Sequence, residues 1–97
     1  MLDIKQDTII KINPDTVFRD DFKEGAIVYD PQNENVYHLN QVGMLIWKSL
    51  DGKNSLADVL SIVRERCTAV PDNYEHLVKE HIRNLIDNGL AGYVVAP

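Results

Sequence analysis

From Thr16 onward the chain takes on the β-branched and aromatic character of strands. Thr16-Val17-Phe18-Arg19 begins the pattern, Gly25-Ala26-Ile27-Val28-Tyr29 gives a clear strand, and Val36-Tyr37-His38-Leu39 gives a returning one. Asp20 to Gly25 reads as turn-rich. Asp30-Pro31-Gln32-Asn33 carries turn chemistry, because proline presets one backbone angle and asparagine tolerates the left-handed region. The three segments predict a short antiparallel meander. Upstream, residues 1–15 run into Asn13-Pro14, a chain break, and form an arm that either adds a strand or stays loose.

The period then changes from two to that of a helix. Asn40 is a good N-cap, Leu39 and Met44 stand at the spacing of a hydrophobic staple, and Val42, Leu45, Ile46, Ser49 and Leu50 recur on one face. Asp51-Gly52 ends this first helix. Gly43, near its start, costs about 1 kcal/mol against alanine, which implies that something packs closely on the backbone there. A second helix starts at Ser55, with Asp58 in a variant of the capping box, and carries Leu56, Val59, Leu60 and Val63 inward until about Cys67, before Val70-Pro71 breaks it. The third and longest begins near Asp72, has Glu75 at the positive end of its dipole, and stops at Asn88-Gly89. Leu90 to Val95 returns to an apolar, β-branched run and predicts a short strand or packed tail.

The fold class is therefore α+β: a three-stranded antiparallel sheet, three helices and a short C-terminal strand, in a winged helix-turn-helix-like order. A fold of this kind assigns no function by itself. At 97 residues there is room for one core and no second domain, so residues 16–97 are expected to form it. Apolar residues make up 44% and charged residues 26%, a balance that suits a globular domain and not a disordered chain. Uninterrupted apolar runs such as Met44 to Trp47 fall far short of the roughly 20 residues that span a bilayer. The N-terminus lacks the apolar core of a signal peptide, and Cys67 is the only cysteine, so a cytoplasmic protein without a disulfide is expected.

Catalytic chemistry finds no purchase. No serine, cysteine or threonine stands with a base and an orienting group in any local pattern. Cys67, near Arg64 and Arg66, reads as a packing residue. His76 and Glu80, four apart, make a solvated pair, since two ligands are too few for a metal. The five glycines are scattered and begin no phosphate loop, and Asp20-Asp21 is explained by a turn. No enzyme activity, cofactor or metal is expected. The net charge of −5 argues against a nucleic-acid partner, and the third helix sets Asp72, Glu75, Glu80 and Asp87 against Lys79 and Arg83. A winged-helix DNA-binding regulator is the alternative reading that this charge pattern disfavours.

Ala26-Ile27-Val28-Tyr29-Asp30-Pro31, Val36-Tyr37-His38-Leu39-Asn40, Leu45-Ile46-Trp47, Leu50-Asp51-Gly52 and Gly89-Leu90, in this order and spacing, resemble the PqqD-like family, the RiPP recognition elements. The likeness covers about residues 16–95. It implies a noncatalytic adaptor that captures the leader of a ribosomally made precursor peptide and presents it to a modifying enzyme, often a radical SAM maturase. The leader would add as a strand beside Val36, Tyr37, His38 and Leu39 and lay side chains along the third helix. There Val78, Ile82 and Leu85 would serve the core, Tyr74, Leu77 and His81 would line a groove, and Lys79 and Arg83 would meet acidic leader residues. Set against this, Tyr37 and Tyr74 read equally well as core aromatics, and Lys79 and Arg83 as solvated residues. Neither nucleic acid nor membrane is expected as a partner.

Overall fold

The computed structural model describes residues 4–22, 25–67 and 70–94. Among the described residues, six strands and three helices follow one another as β1 (Ile9–Ile12), β2 (Val17–Phe22), β3 (Gly25–Asp30), β4 (Asn35–Leu39), α1 (Gln41–Ser49), β5 (Asp51–Ser55), α2 (Leu56–Arg66), α3 (Tyr74–Asp87) and β6 (Ala91–Tyr93). They form two antiparallel sheets of three strands, in the orders β2-β3-β4 and β5-β1-β6. The expected meander and three helices are present. The second sheet is the departure: β5 lies where the sequence read only a helix stop and a turn.

The meander is built by period two. Ala26, Val28 and Asp30 of β3 point into the core, whereas Ile27 and Tyr29 are half-buried on the other face. Gly25 must lack a side chain, because a β-carbon there would run into the Leu39 carbonyl oxygen. The β3–β4 turn is held by Asp30, whose Oδ1 accepts from the Gln32 N–H at 3.0 Å and whose carbonyl accepts from the Glu34 N–H at 2.8 Å. Glu34, with φ of 60°, takes the left-handed position that the sequence suggested for Asn33. Asn33 instead accepts from the Asn35 N–H through its side chain. The stretch expected as a turn from Asp20 is β2 through Phe22, and the Asp20 carboxylate accepts from Lys48 Nζ at 3.3 Å.

Asn40 caps α1 by accepting from the Gly43 N–H at 2.7 Å, and Leu39 beside it is buried. After Ser49 the chain does not turn straight into α2. Asp51 Oδ1 accepts from the N–H groups of Lys53 and Asn54, which holds its carboxyl below the ordinary 3.8, and Gly52 takes a φ of 83°. This compact bend lets Asp51–Ser55 pair with β1 across a register shift. Ser55 and Asp58 then form the complete capping box of α2. α3 begins at Tyr74 and ends in a left-handed Gly89, whose successor Leu90 donates to the Leu85 carbonyl.

One core joins both sheets to the helices: Ile4, Ile10, Val28, Leu50, Leu56, Val59, Ile82 and Leu90 are all essentially inaccessible. Phe18 of β2 stacks on Trp47 of α1 at 6.0 Å, tying the meander to the first helix. No helix among the described residues is long and apolar enough to cross a membrane.

Candidate functional site

Two neighbouring features concentrate exposed apolar surface. β4 is an outer strand of its sheet, paired to β3 on one side and to no described strand on the other. Its residues alternate: Leu39 is buried and Tyr37 half-buried against the core, whereas Val36 and His38 face out. Val36, 49% exposed, stands level with Tyr29 of β3, which in turn stands level with Val17 of β2, 46% exposed. Ile27, Val36, His38 and Asn40 line a shallow hollow on this face. The Tyr37 hydroxyl accepts from Asn35 Nδ2 at 3.3 Å.

The second feature is a groove of about 300 Å³ where the start of α1, the end of α2 and the face of α3 converge. α1 packs against both β4 and α3, and its cap Asn40 lines both the groove and the hollow beside the strand margin, which joins the two. Val42 (40% exposed) and Leu77 (46% exposed) stand on the rims, with Ile46, Val63 and Val78 beneath. Cys67, Val70, Pro71 and Tyr74 close the far end. Among the described residues this lining has no carboxylate, ammonium or guanidinium group, so it suits an apolar occupant.

Of the residues singled out in the sequence, the structure brings Tyr74, Leu77, Val78 and His81 into this groove and Val36, His38 and Leu39 into the adjoining hollow. Ile82 is fully buried in the core. Lys79 and Arg83 are half-buried on α3 and outside the groove lining. Val42, Cys67, Val70 and Pro71 were not anticipated as lining. The signal was available for Val70-Pro71, since a break between two amphipathic helices leaves its apolar residues at a helix junction.

His81 lines the groove and is half-buried there. Its Nε2 is shut off from solvent and finds no hydrogen-bond partner among the described residues, and burial holds its ring below the ordinary 6.5. No group of three or more His, Cys, Asp or Glu side chains among the described residues is arranged to hold a metal.

The sequence profile of the family described as Coenzyme PQQ synthesis protein D (PqqD) matches residues 25–91. The chain belongs to the PqqD family. The match takes in β3, β4, all three helices and β5, and with them both the strand margin and the groove. PqqD-like recognition elements are noncatalytic binding proteins, which accords with a site made of a sheet edge and apolar side chains. Among solved structures, the fold is similar to that of a chain titled "TbiB1 in Complex with the TbiA(beta) Leader Peptide", at a TM-score of 0.73 and 19% identity, covering 88% of this chain and 99% of that one. The shared architecture therefore extends beyond the segment matched by the PqqD profile. No curated protein matches the chain.

Proposed function

We propose that this PqqD-family chain is a noncatalytic adaptor that captures the leader of a ribosomally synthesised precursor peptide and presents it to a modifying enzyme such as a radical SAM maturase. The observation that carries this reading is the adjacency of the β4 margin, paired to no strand among the described residues, to the apolar groove between α1 and α3. An extended peptide added along Asn35–Leu39 would gain backbone hydrogen bonds, and its side chains would reach the groove or the outer hollow. Each such bond contributes only about 0.5–1.5 kcal/mol net, while ordering a disordered leader costs roughly 2–5 kcal/mol. Affinity and choice of peptide must then come chiefly from the apolar contacts, for which Val36, Val42 and Leu77 supply exposed surface. The meander followed by helices also supports a winged-helix-like description of the fold. The membership in the PqqD family and the leader-bound structure that the fold resembles support the same class of partner.

The test is a titration of the full chain with the synthetic leader of the precursor encoded beside its gene, followed by hydrogen exchange. Slowed exchange along Val36 to Leu39 in the complex is the expected result. Leu77→Asp is expected to weaken the leader roughly tenfold or more, because burying a leucine is worth about 1.5–3 kcal/mol and about 1.4 kcal/mol is a factor of ten. Unchanged exchange over β4 removes strand addition, and unchanged affinity in Leu77→Asp removes the groove.

A further inference from the structure

His81 projects from α3 to the first turn of α1, where its ring lies against Gly43. Among the described residues that line the groove around it, none carries a negative charge. α1 offers Asn40, Val42 and Gly43, α2 offers Val63 and Cys67, and the segment before α3 offers Val70 and Pro71. The other titratable groups in the groove are the Cys67 thiol and the Tyr74 phenol, and no carboxylate lines it among the described residues. Lys79 and Arg83, two residues away on either side, lie off this face of the helix, and Glu80 is paired with His76 at 3.5 Å. An imidazolium here would keep only the hydration that the open groove still allows. A peptide side chain seated in the groove would remove that hydration while leaving a neutral ring nearly undisturbed.

We infer that in mildly acidic solution peptide capture in this groove is coupled to release of a proton from the His81 ring to solvent, and that the side chain the groove accepts is uncharged. The inference rests on the peptide-binding reading above and adds the chemistry of the bound residue and a dependence on pH. The burial that already holds the ring below 6.5 acts in the same direction, and an occupant deepens it. An acidic occupant would do the reverse: its carboxylate would pair with the imidazolium, and binding would take up a proton.

The experiment measures by calorimetry the affinity of the full chain for the unlabelled synthetic leader from about pH 5 to about pH 7.5, alongside the histidine ring signals by NMR in the free and bound states. The dissociation constant is expected to rise as pH falls, by up to about tenfold per pH unit between the bound and free titrations of the ring. The His81 signal should titrate at lower pH in the complex, and His81→Phe should flatten the profile. An affinity that is level or tightens toward acid overturns the inference, as does a slope that persists in His81→Phe. The NMR reading stands even if that variant does not fold. Leader that binds without the slope leaves the adaptor reading intact, whereas leader that binds at no pH overturns both.

Discussion

Gly43 of α1 and His81 of α3 are packed so closely that a β-carbon on the glycine would sit 3.4 Å from the ring Cε1 and 3.5 Å from Nε2, with Asn40 Oδ1 at 3.2 Å. The glycine near the start of a helix, unfavourable by about 1 kcal/mol on propensity, is thereby explained. It lets the third helix bring a histidine ring onto the backbone of the first. Gly43→Ala regains that propensity but crowds both the ring and the oxygen that caps α1. Because overpacking typically costs about 1–3 kcal/mol and the regained propensity offsets about 1 kcal/mol of it, the net loss of stability is expected to be about 2 kcal/mol or less. The ring, having the groove on its open side, is the part that yields. Peptide affinity should therefore drop by more than the melting temperature suggests, and a variant that binds leader as the parent does would show that the contact is mere packing.

The same ring makes stability depend on pH. In the unfolded chain His81 has the ordinary value of 6.5, and folding lowers it by desolvation, so the folded state takes up this proton less readily. The sign follows: stability is fully present above 6.5 and declines as pH falls from there toward the folded value. Between about pH 7.5 and about pH 5.5 the denaturant midpoint of the parent should fall by more than that of His81→Phe. Equal losses in the two proteins would show that the decline comes from other groups.

Much of this arrangement was legible in the sequence because its signals are local. Asn40 before an apolar period, Ser55 three residues before Asp58, and Asn88-Gly89 after a helical run each encode a cap in adjacent residues, and each appears as read. The meander was legible from alternation. β5 was not, because Asp51-Gly52-Lys53-Asn54-Ser55 is polar and turn-like, and only pairing with a distant strand makes it extended. The groove was half legible. Tyr74, Leu77 and His81 flank an apolar stripe on one helix, but Val42, Cys67 and Val70 reach the same place only through the packing of three helices, which no single period contains.

β1 shows the consequence of that non-local pairing. It is the middle strand of its sheet, and its Ile10 is fully buried, although it lies outside the residues matched by the PqqD profile. The residues just before it also support the structure, for the Leu56 and Ala57 N–H groups at the start of α2 donate to the carbonyls of Thr8 and Gln6. Ile10→Ala is expected to cost about 2–5 kcal/mol and to lower the melting temperature by roughly 10 °C or more. A loss below about 1 kcal/mol, read by denaturant titration, would mean that β1 is dispensable to the core.

The proposed strand addition can be separated from sheet stability by two proline substitutions made side by side on β4. In an antiparallel pair, consecutive residues direct their backbone N–H groups to opposite sides, so one of Val36 and Tyr37 donates toward β3 and the other toward the free margin. Proline removes the donor in either case. At the position bonded to β3 it breaks a ladder bond, and the expected result is a melting temperature lower by roughly 4 °C or more. At the position facing the margin, the fold has no such bond to lose, while an incoming peptide does. Val36→Pro and Tyr37→Pro should thus differ in kind: one is marked by lower stability, the other by weakened leader binding at near-parental stability. If both variants retain full affinity, the peptide does not pair with β4, and the groove between α1 and α3 must hold it without the strand.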